Sequence, residues 1–288
     1  MKQSRLQARK LGIKPKSKTK KPPFLRLIVF AFLLFIFVLI AAYFLLPRSW
    51  DGKSKFVSVS QTQSGDAVIQ IIDPVNSLVT NIKVPADTLV EAANQLGSWK
   101  LGSITKLGID KNAGSDFLKN TIIKSFKFPV DSGDNLSIVD KVRIKLFLLT
   151  AANTGDSNLN LKDTDYLVRS KLVDGSLGWK IAETMPTNVA IFFTENFGVG
   201  RAVNVAIKNS TGVRSEGVMA AKVIEVMGLN VASVENLDKN NFDCKIIGES
   251  GELIEKISKI LTCTVTLTKP TNNFDIEIDL GTKFASRF

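Results

Sequence analysis

The chain of 288 residues contains no histidine, and this restricts the chemistry that its side chains can perform. Histidine is the usual general base and a common neutral metal ligand, and it activates most serine and cysteine nucleophiles. Any catalysis would therefore depend on carboxylates, lysines, tyrosines or a metal ion held by oxygen ligands. Hydrolases that use a Ser–His or Cys–His pair are excluded.

The two cysteines, Cys244 and Cys263, each fall on the inward-facing phase of a predicted strand. Two cysteines in one small domain form a disulfide if their strands are neighbours and the compartment is oxidising. The alternative is a pair of buried free thiols that pack as small apolar side chains. A catalytic or metal-binding role is not expected, because the chain offers no histidine and no second pair of ligands.

The N-terminal 46 residues combine a basic tail with an apolar run. Ten Lys or Arg and no Asp or Glu lie in residues 1–26, and residues 27–46 carry no charge. About 20 apolar residues span the core of a bilayer, and flanking cations keep that end in the cytoplasm. A cleaved signal peptide is the alternative, but its apolar region is usually only about 7–15 residues long.

These features predict a single-pass protein of the plasma membrane with its N-terminus in the cytoplasm. Residues 1–23 form a basic tail that contacts anionic inner-leaflet lipid, residues 24–46 form a transmembrane signal-anchor, and residues 47–55 form a linker outside. The net charge of +11 does not predict a nucleic-acid partner, because residues 27–288 hold 28 basic and 27 acidic side chains. The tail sets topology, with binding of a cytoplasmic RNA or partner as the alternative.

Residue patterns outside the anchor predict mixed α/β (α+β) outer domains. In the first part we expect strands at 56–59, 67–72 and 78–84, a short helix at 87–96, a helix at 114–126, a strand at 138–149 and a loop at 151–163. Residues 203–280 predict the order β-α-β-β-α-β-β, a small α/β sandwich with its helices on one face.

The segment 203–281 places a strand, an Asn209-Ser210-Thr211-Gly212 turn, a helix and a glycine-led strand in one register. Further features are Gly217 and Ala220-Ala221 in the helix, the 227–231 junction and the final Leu280-Gly281. This combination resembles the C-terminal domain of LytR-CpsA-Psr cell-envelope proteins. The resemblance implies a domain at 201–288 and association with the envelope, but no particular reaction.

The region 66–131 carries a second set of features. Asp66 precedes a strand, an Ile-Asp-Pro follows at 72–74, an Ile-Lys-Val-Pro-Ala-Asp-Thr occupies 82–88, and a Phe-Pro-Val-Asp occupies 128–131. These features resemble the start of the LytR-CpsA-Psr catalytic domain, which would occupy 56–150, with a loop-rich connector at 151–200. The resemblance implies descent from enzymes that transfer phosphate-linked glycopolymers from a polyprenyl pyrophosphate carrier to the wall.

Two departures from this resemblance concern phosphate binding. Ser64 and Ala86 stand where the family has arginines that would grip the pyrophosphate by paired, charge-assisted hydrogen bonds. Losing positive charge at a phosphoryl-transfer transition state typically costs orders of magnitude in rate. Asp66 and Asp87 remain, as ordinary turn and strand-end carboxylates or, in an active enzyme, as catalytic groups and Mg²⁺ ligands.

The resemblance therefore leaves two main functions open. The preferred one is a non-catalytic binding or scaffold role in wall or glycopolymer assembly, without a cofactor, whose partners are cell-wall glycopolymer or envelope proteins. The alternative is a divergent glycopolymer transferase that uses Mg²⁺, Asp66, Asp87 and a lysine such as Lys83 or Lys100. A divisome-like structural protein is a third reading. A packed interior at Ala86 would favour the first function, and a pocket lined by inward Lys or Arg the second.

Overall fold

The computed structural model describes residues 23–45, 50–133, 136–151, 156–195, 202–249, 251–270 and 273–288. The predicted basic tail, apart from Pro23, and residues 47–49 of the predicted linker lie outside these ranges. The chain forms two compact units, residues 1–47 and residues 48–288.

The first unit contains helix α1, Pro23–Leu45. Its side chains are described for residues 27–38 and for Ala41, and most of the large apolar ones among them are exposed. Among the residues that the structure describes, no helix is both long enough and apolar enough to cross a membrane.

The second unit begins with an antiparallel sheet and a short hairpin. Strands β1 (Phe56–Gln61), β2 (Ala67–Asp73) and β3 (Leu78–Val84) pair as neighbours, which confirms the three predicted strands. The helix predicted at 87–96 is wrong, because β4 (Leu89–Glu91) pairs with β5 (Ser98–Lys100). Left-handed conformations at Asn94, Gln95 and Gly97 turn the chain between these strands. A 3₁₀ turn (Leu101–Ser103) and helices α2 (Ile104–Asp110) and α3 (Phe117–Phe126) follow.

The strand predicted at 138–149 is also wrong, because these residues form helix α4, Ile138–Ala151. The helix forms because Ile144 and Leu148, four residues apart, pack together on the cluster of Trp50, Phe56 and Ile72. Part of the loop predicted at 151–163 is strand β6, Asp156–Asn160, which pairs in parallel with β3 and completes the sheet order β1-β2-β3-β6.

The segment predicted as a connector contains further regular structure. A 3₁₀ turn (Leu161–Asp163), the antiparallel hairpin of β7 (Leu167–Lys171) and β8 (Leu177–Ile181), and the short helix α5 (Thr187–Ala190) lie within it.

The last part has the predicted order β-α-β-β-α-β-β and ends with an additional helix. These elements are β9 (Asn204–Asn209), α6 (Arg214–Val226), β10 (Asn230–Asn236), β11 (Cys244–Gly248), α7 (Glu252–Leu261), β12 (Thr264–Leu267), β13 (Ile276–Leu280) and α8 (Thr282–Arg287). The sheet order is β10-β9-β13-β11-β12, with β11 antiparallel to β13 and the other pairs parallel. The structure is therefore of the mixed α/β type.

Helix α3 ends at a lysine whose pKa is shifted. Lys127 adopts a left-handed conformation, and its Nζ atom donates to the carbonyl oxygen of Lys124. Burial lowers the pKa of Lys127 from 10.5 to about 8, although Glu91 and Glu216 favour the charged form. The unfolded chain therefore binds more protons than the folded chain between these two values, and the free energy of unfolding rises with pH across that window.

We predict that Lys127→Met stabilises the protein by about 1–3 kcal/mol at neutral pH, because it removes a buried charge. The variant should also lose part of the rise in stability between about pH 8 and pH 10.5. Urea unfolding of the full-length chain, followed by tryptophan fluorescence, measures both effects, since Trp50, Trp99 and Trp179 all lie in residues 48–288. Lys106→Met, at an exposed lysine, is the control. Equal pH profiles for the two variants would contradict the prediction.

Candidate functional site

The structure brings Ser64, Asp66, Lys83 and Ala86 together at one end of the first sheet. Ala67 opens β2 and faces Val84, the last residue of β3, so the residues just beyond each strand meet. The carboxylate of Asp66 lies 2.9 Å from Lys83 Nζ and accepts hydrogen bonds from the Ala86 amide at 2.9 Å and Ser64 Oγ at 3.1 Å. All three donors lie within residues 64–86 of the chain.

The donors determine the charge state of Asp66. Partial burial raises the pKa of its carboxyl group, but the hydrogen bonds from Lys83, the Ala86 amide and Ser64 outweigh burial and leave the pKa below its usual range. Asp66 is therefore an ionised carboxylate that neutralises Lys83 and fixes the turn after β3.

The side chain of Ala86 is half-buried and lies against two glycines. A β-carbon added to Gly102 would lie 3.1 Å from the β-carbon of Ala86, and one added to Gly65 would lie 3.3 Å from it. The Gly102 amide also donates to the Ala86 carbonyl oxygen at 2.8 Å. Gly65 and Gly102 thus lie close to Ala86 on one side of its half-buried side chain.

Two other candidates from the sequence are engaged with the β7–β8 hairpin. The Asp87 carbonyl oxygen accepts a hydrogen bond from the Trp179 amide at 3.2 Å. Lys100 Nζ lies 2.6 Å from the Asp174 carboxylate and donates to Ser176 Oγ at 2.9 Å. The described residues contain no group of three or more Asp, Glu, Cys or His side chains that could hold a metal ion.

The structure reveals a buried charged cluster that sequence reasoning missed, centred on Lys256 of α7. Lys256 Nζ donates to the Lys55 carbonyl oxygen at 2.5 Å and to the Glu195 carboxylate, and it lies 3.9 Å from the Asp131 carboxylate. Asp131 also accepts a hydrogen bond from the Val57 amide at 2.8 Å. We call Lys256, Asp131 and Glu195 the buried ion cluster.

Burial dominates the electrostatics of this cluster. Burial lowers the pKa of Lys256 and raises the pKa of Asp131, while their mutual attraction opposes both shifts. The hydrogen bond from Val57 further favours the charged carboxylate of Asp131. A second pair lies nearby, in which Lys55 Nζ is 3.4 Å from the Asp73 carboxylate.

Two cavities adjoin the buried ion cluster. The larger, of about 1140 Å³, extends past the Lys55–Asp73 pair and Glu195 to the start of α7 and to residues 273–276. The smaller, of about 440 Å³, lies among Trp50, Asp131 and Lys256. Both are lined by Lys53, Ser54, Lys55, Glu252 and Lys256. These cavities offer space for a ligand.

Cys244 and Cys263 form a disulfide, the first of the two alternatives that the sequence left open. Their Cα atoms are 4.9 Å apart, where the start of β11 meets the residue before β12. Arg287 lies beside the bond and donates to the Asp243 carboxylate at 2.5 Å and to the Leu261 carbonyl oxygen at 3.2 Å.

Comparison with known proteins gives a single distant likeness to report. No protein-family model matches the chain, and no curated protein matches it. Among solved structures, it is similar to the crystal structure of TagT from B. subtilis. The likeness covers 81% of this chain and 88% of TagT, at 12% sequence identity and a TM-score of 0.25. This likeness is too distant to support an argument, so function must be inferred from the residues themselves.

Proposed function

We propose that this chain is a membrane-anchored bacterial cell-envelope protein whose outer unit binds an envelope component without transferring it. In this proposal residues 24–46 cross the plasma membrane once, the N-terminus is cytoplasmic, and residues 48–288 lie outside. The exposed apolar side chains of residues 27–38 support an anchor, because apolar surface suits lipid. The disulfide supports an outside location, because disulfides persist in oxidising compartments.

The observation that supports a non-catalytic role best is the arrangement around Asp66. Its carboxylate is occupied by Lys83, Ser64 and the Ala86 amide. Two glycines lie against the half-buried Ala86, where the family resemblance expects a phosphate-gripping arginine. A pyrophosphate placed here would meet an ionised carboxylate and one lysine that this carboxylate already neutralises. Such a site attracts a polyphosphate group weakly.

The larger cavity is the proposed binding site. Two of its lysines are already paired with carboxylates, Lys55 with Asp73 and Lys256 with Glu195. Its lining therefore offers hydrogen-bonding groups of both kinds with little excess charge, which suits a polar, uncharged chain such as a saccharide of a cell-wall glycopolymer. Other envelope proteins are the second class of partner in this proposal.

One assay separates binding from transfer. Full-length protein in detergent is incubated with a polyprenyl pyrophosphate-linked glycan, a cell-wall glycan as acceptor and Mg²⁺, and bound glycan and the polyprenyl phosphate left by transfer are both measured. We predict binding without formation of polyprenyl phosphate, and unchanged binding in Asp66→Ala. That variant should lose about 1–2 kcal/mol of stability, because it leaves the Ala86 amide and Lys83 without their acceptor. Asp110→Ala, at an exposed carboxylate, is the control.

A divergent transferase remains the second candidate, and the position of Lys83 favours it. This lysine is half exposed and lies beside the Asp66 carboxylate, where it could contact a phosphate. Formation of polyprenyl phosphate that disappears in Asp66→Ala or Asp87→Ala, but not in Asp110→Ala, would establish the transferase and overturn the binding proposal.

A further inference from the structure

Helix α4 carries an apolar stripe that faces solvent. Ile138, Val142, Leu146 and Leu149 are 53–78% exposed. Their spacing of four, four and three residues places them within about 80° of one another around the helix axis. The buried side chains of α4, such as Ile144, lie on the other side of the helix against Trp50 and Phe56. The helix thus has two apolar faces, and the described residues cover one of them.

The charges beside the stripe are basic. Lys141 and Lys145 are both exposed, and each directly precedes a stripe residue, Val142 or Leu146. The acidic residue of the helix, Asp140, is fully buried and accepts a hydrogen bond from the Trp50 amide at 3.2 Å. An exposed apolar stripe edged by lysines is the pattern of a helix that lies in the interface of an anionic bilayer.

The covalent chain restricts how far this helix can lie from a membrane. Arg143 donates to the Trp50 carbonyl oxygen at 2.9 Å, so α4 is fixed to the first described residue of the second unit. Four residues, 46–49, separate Trp50 from the end of α1. If α1 is an anchor, these residues keep Trp50 within about 18 Å of the point where the chain leaves the bilayer.

We propose that the stripe on α4 docks onto the outer surface of the membrane, with Ile138, Val142, Leu146 and Leu149 entering the interface and Lys141 and Lys145 contacting anionic headgroups. This inference rests on the proposed anchor. Docking would fix the orientation of the outer unit against the bilayer. The partner is a lipid surface rather than a protein, since the lysines match its charge and the short connection keeps it within reach.

The test places a fluorescent label at single cysteines in the full-length chain. The two native cysteines are joined in a disulfide, so an introduced cysteine reacts alone. Labels go on Leu146→Cys in the stripe, on Val173→Cys, which is 99% exposed in the β7–β8 hairpin, and on Phe35→Cys in α1. The protein is reconstituted in vesicles of phosphatidylglycerol and phosphatidylethanolamine that contain lipid-attached quenchers.

We expect quenching at Leu146→Cys by a quencher at headgroup depth, no quenching at Val173→Cys, and quenching at Phe35→Cys by a quencher deep in the bilayer. Lys141→Gln with Lys145→Gln should lower the ratio of docked to undocked protein by about 30-fold. The control pair, Lys171→Gln with Lys180→Gln, also removes two exposed charges and should leave the ratio unchanged.

The outcomes separate this inference from the anchor. An unquenched Leu146→Cys label beside a quenched Phe35→Cys label overturns docking and leaves the anchor standing. A quenched Leu146→Cys label with an unquenched Phe35→Cys label overturns the anchor and supports docking. If neither label is quenched, both proposals are wrong. A Leu146→Cys label that is unquenched, and whose emission changes when the protein is diluted within the lipid, identifies a second copy on the stripe and overturns docking.

Discussion

Lys256→Met should destabilise the second unit, residues 48–288, by about 3–5 kcal/mol. Lys256 is the cation of the buried ion cluster, and methionine keeps most of its volume while removing its charge. The Glu195 carboxylate would lose its partner, and the Asp131 carboxylate would lose its nearest cation while both stay buried. An unpaired buried charge costs far more than the pair contributes, so the loss should exceed that of an ordinary polar contact.

Urea unfolding of the full-length chain measures this loss, and two variants make the result interpretable. Lys106→Met removes an exposed lysine and should change stability by less than about 0.5 kcal/mol. Adding Glu195→Gln to Lys256→Met removes one unpaired charge and should restore part of the lost stability. Equal losses in Lys256→Met and Lys106→Met would show that the cluster is not stabilising.

The last part of the chain was predictable in part because some of its elements have one buried face. Strand β11 alternates buried Cys244, Ile246 and Gly248 with more exposed residues. Helix α7 repeats buried residues at helical spacing, including Ile254, Ile257 and Ile260. One buried face gives a period of two or 3.6 in the sequence, and that period identifies the element. Helix α8 was missed because it is too short to show a period.

The strand predicted at 138–149 is wrong because helix α4 has apolar residues on two faces. Lys141, Arg143 and Lys145 alternate with apolar residues and imitate a strand. The apolar residues between them belong to two different faces of a helix, because Ile144 is buried whereas Val142 and Leu146 are exposed. Sequence patterning assumes that apolar residues turn inward, and the stripe on α4 violates this assumption. The misprediction and the proposed membrane contact therefore have the same origin.

The candidate site was predictable only in part, because some of its residues are close in sequence and others are far apart. Ser64, Asp66 and Ala86 flank a hairpin, so strand pairing alone brings them together. The buried ion cluster joins Lys256 to Glu195 and Asp131 across 61 or more residues. Such contacts follow from the packing of the last sheet against the first part of the unit, and no local pattern of residues encodes that packing.

Removing the disulfide by Cys244→Ser with Cys263→Ser should cost about 3 kcal/mol of unfolding free energy. The bond joins residues 19 apart in sequence and restricts the unfolded chain, and a loop of this size accounts for about that amount of chain entropy. The folded state should change little, since the bond lies between β11 and β12, which are paired in any case.

A reducing agent provides the matched control, because it should lower the urea midpoint of the native sequence and leave that of the double variant unchanged. A double variant within about 1 kcal/mol of the native protein would show that the bond adds little. In cells, thiol labelling of the denatured protein before and after reduction tests the compartment. Thiols that react with the label only after reduction support residues 48–288 lying outside the cytoplasm. Thiols that react before reduction would contradict both the bond and that location.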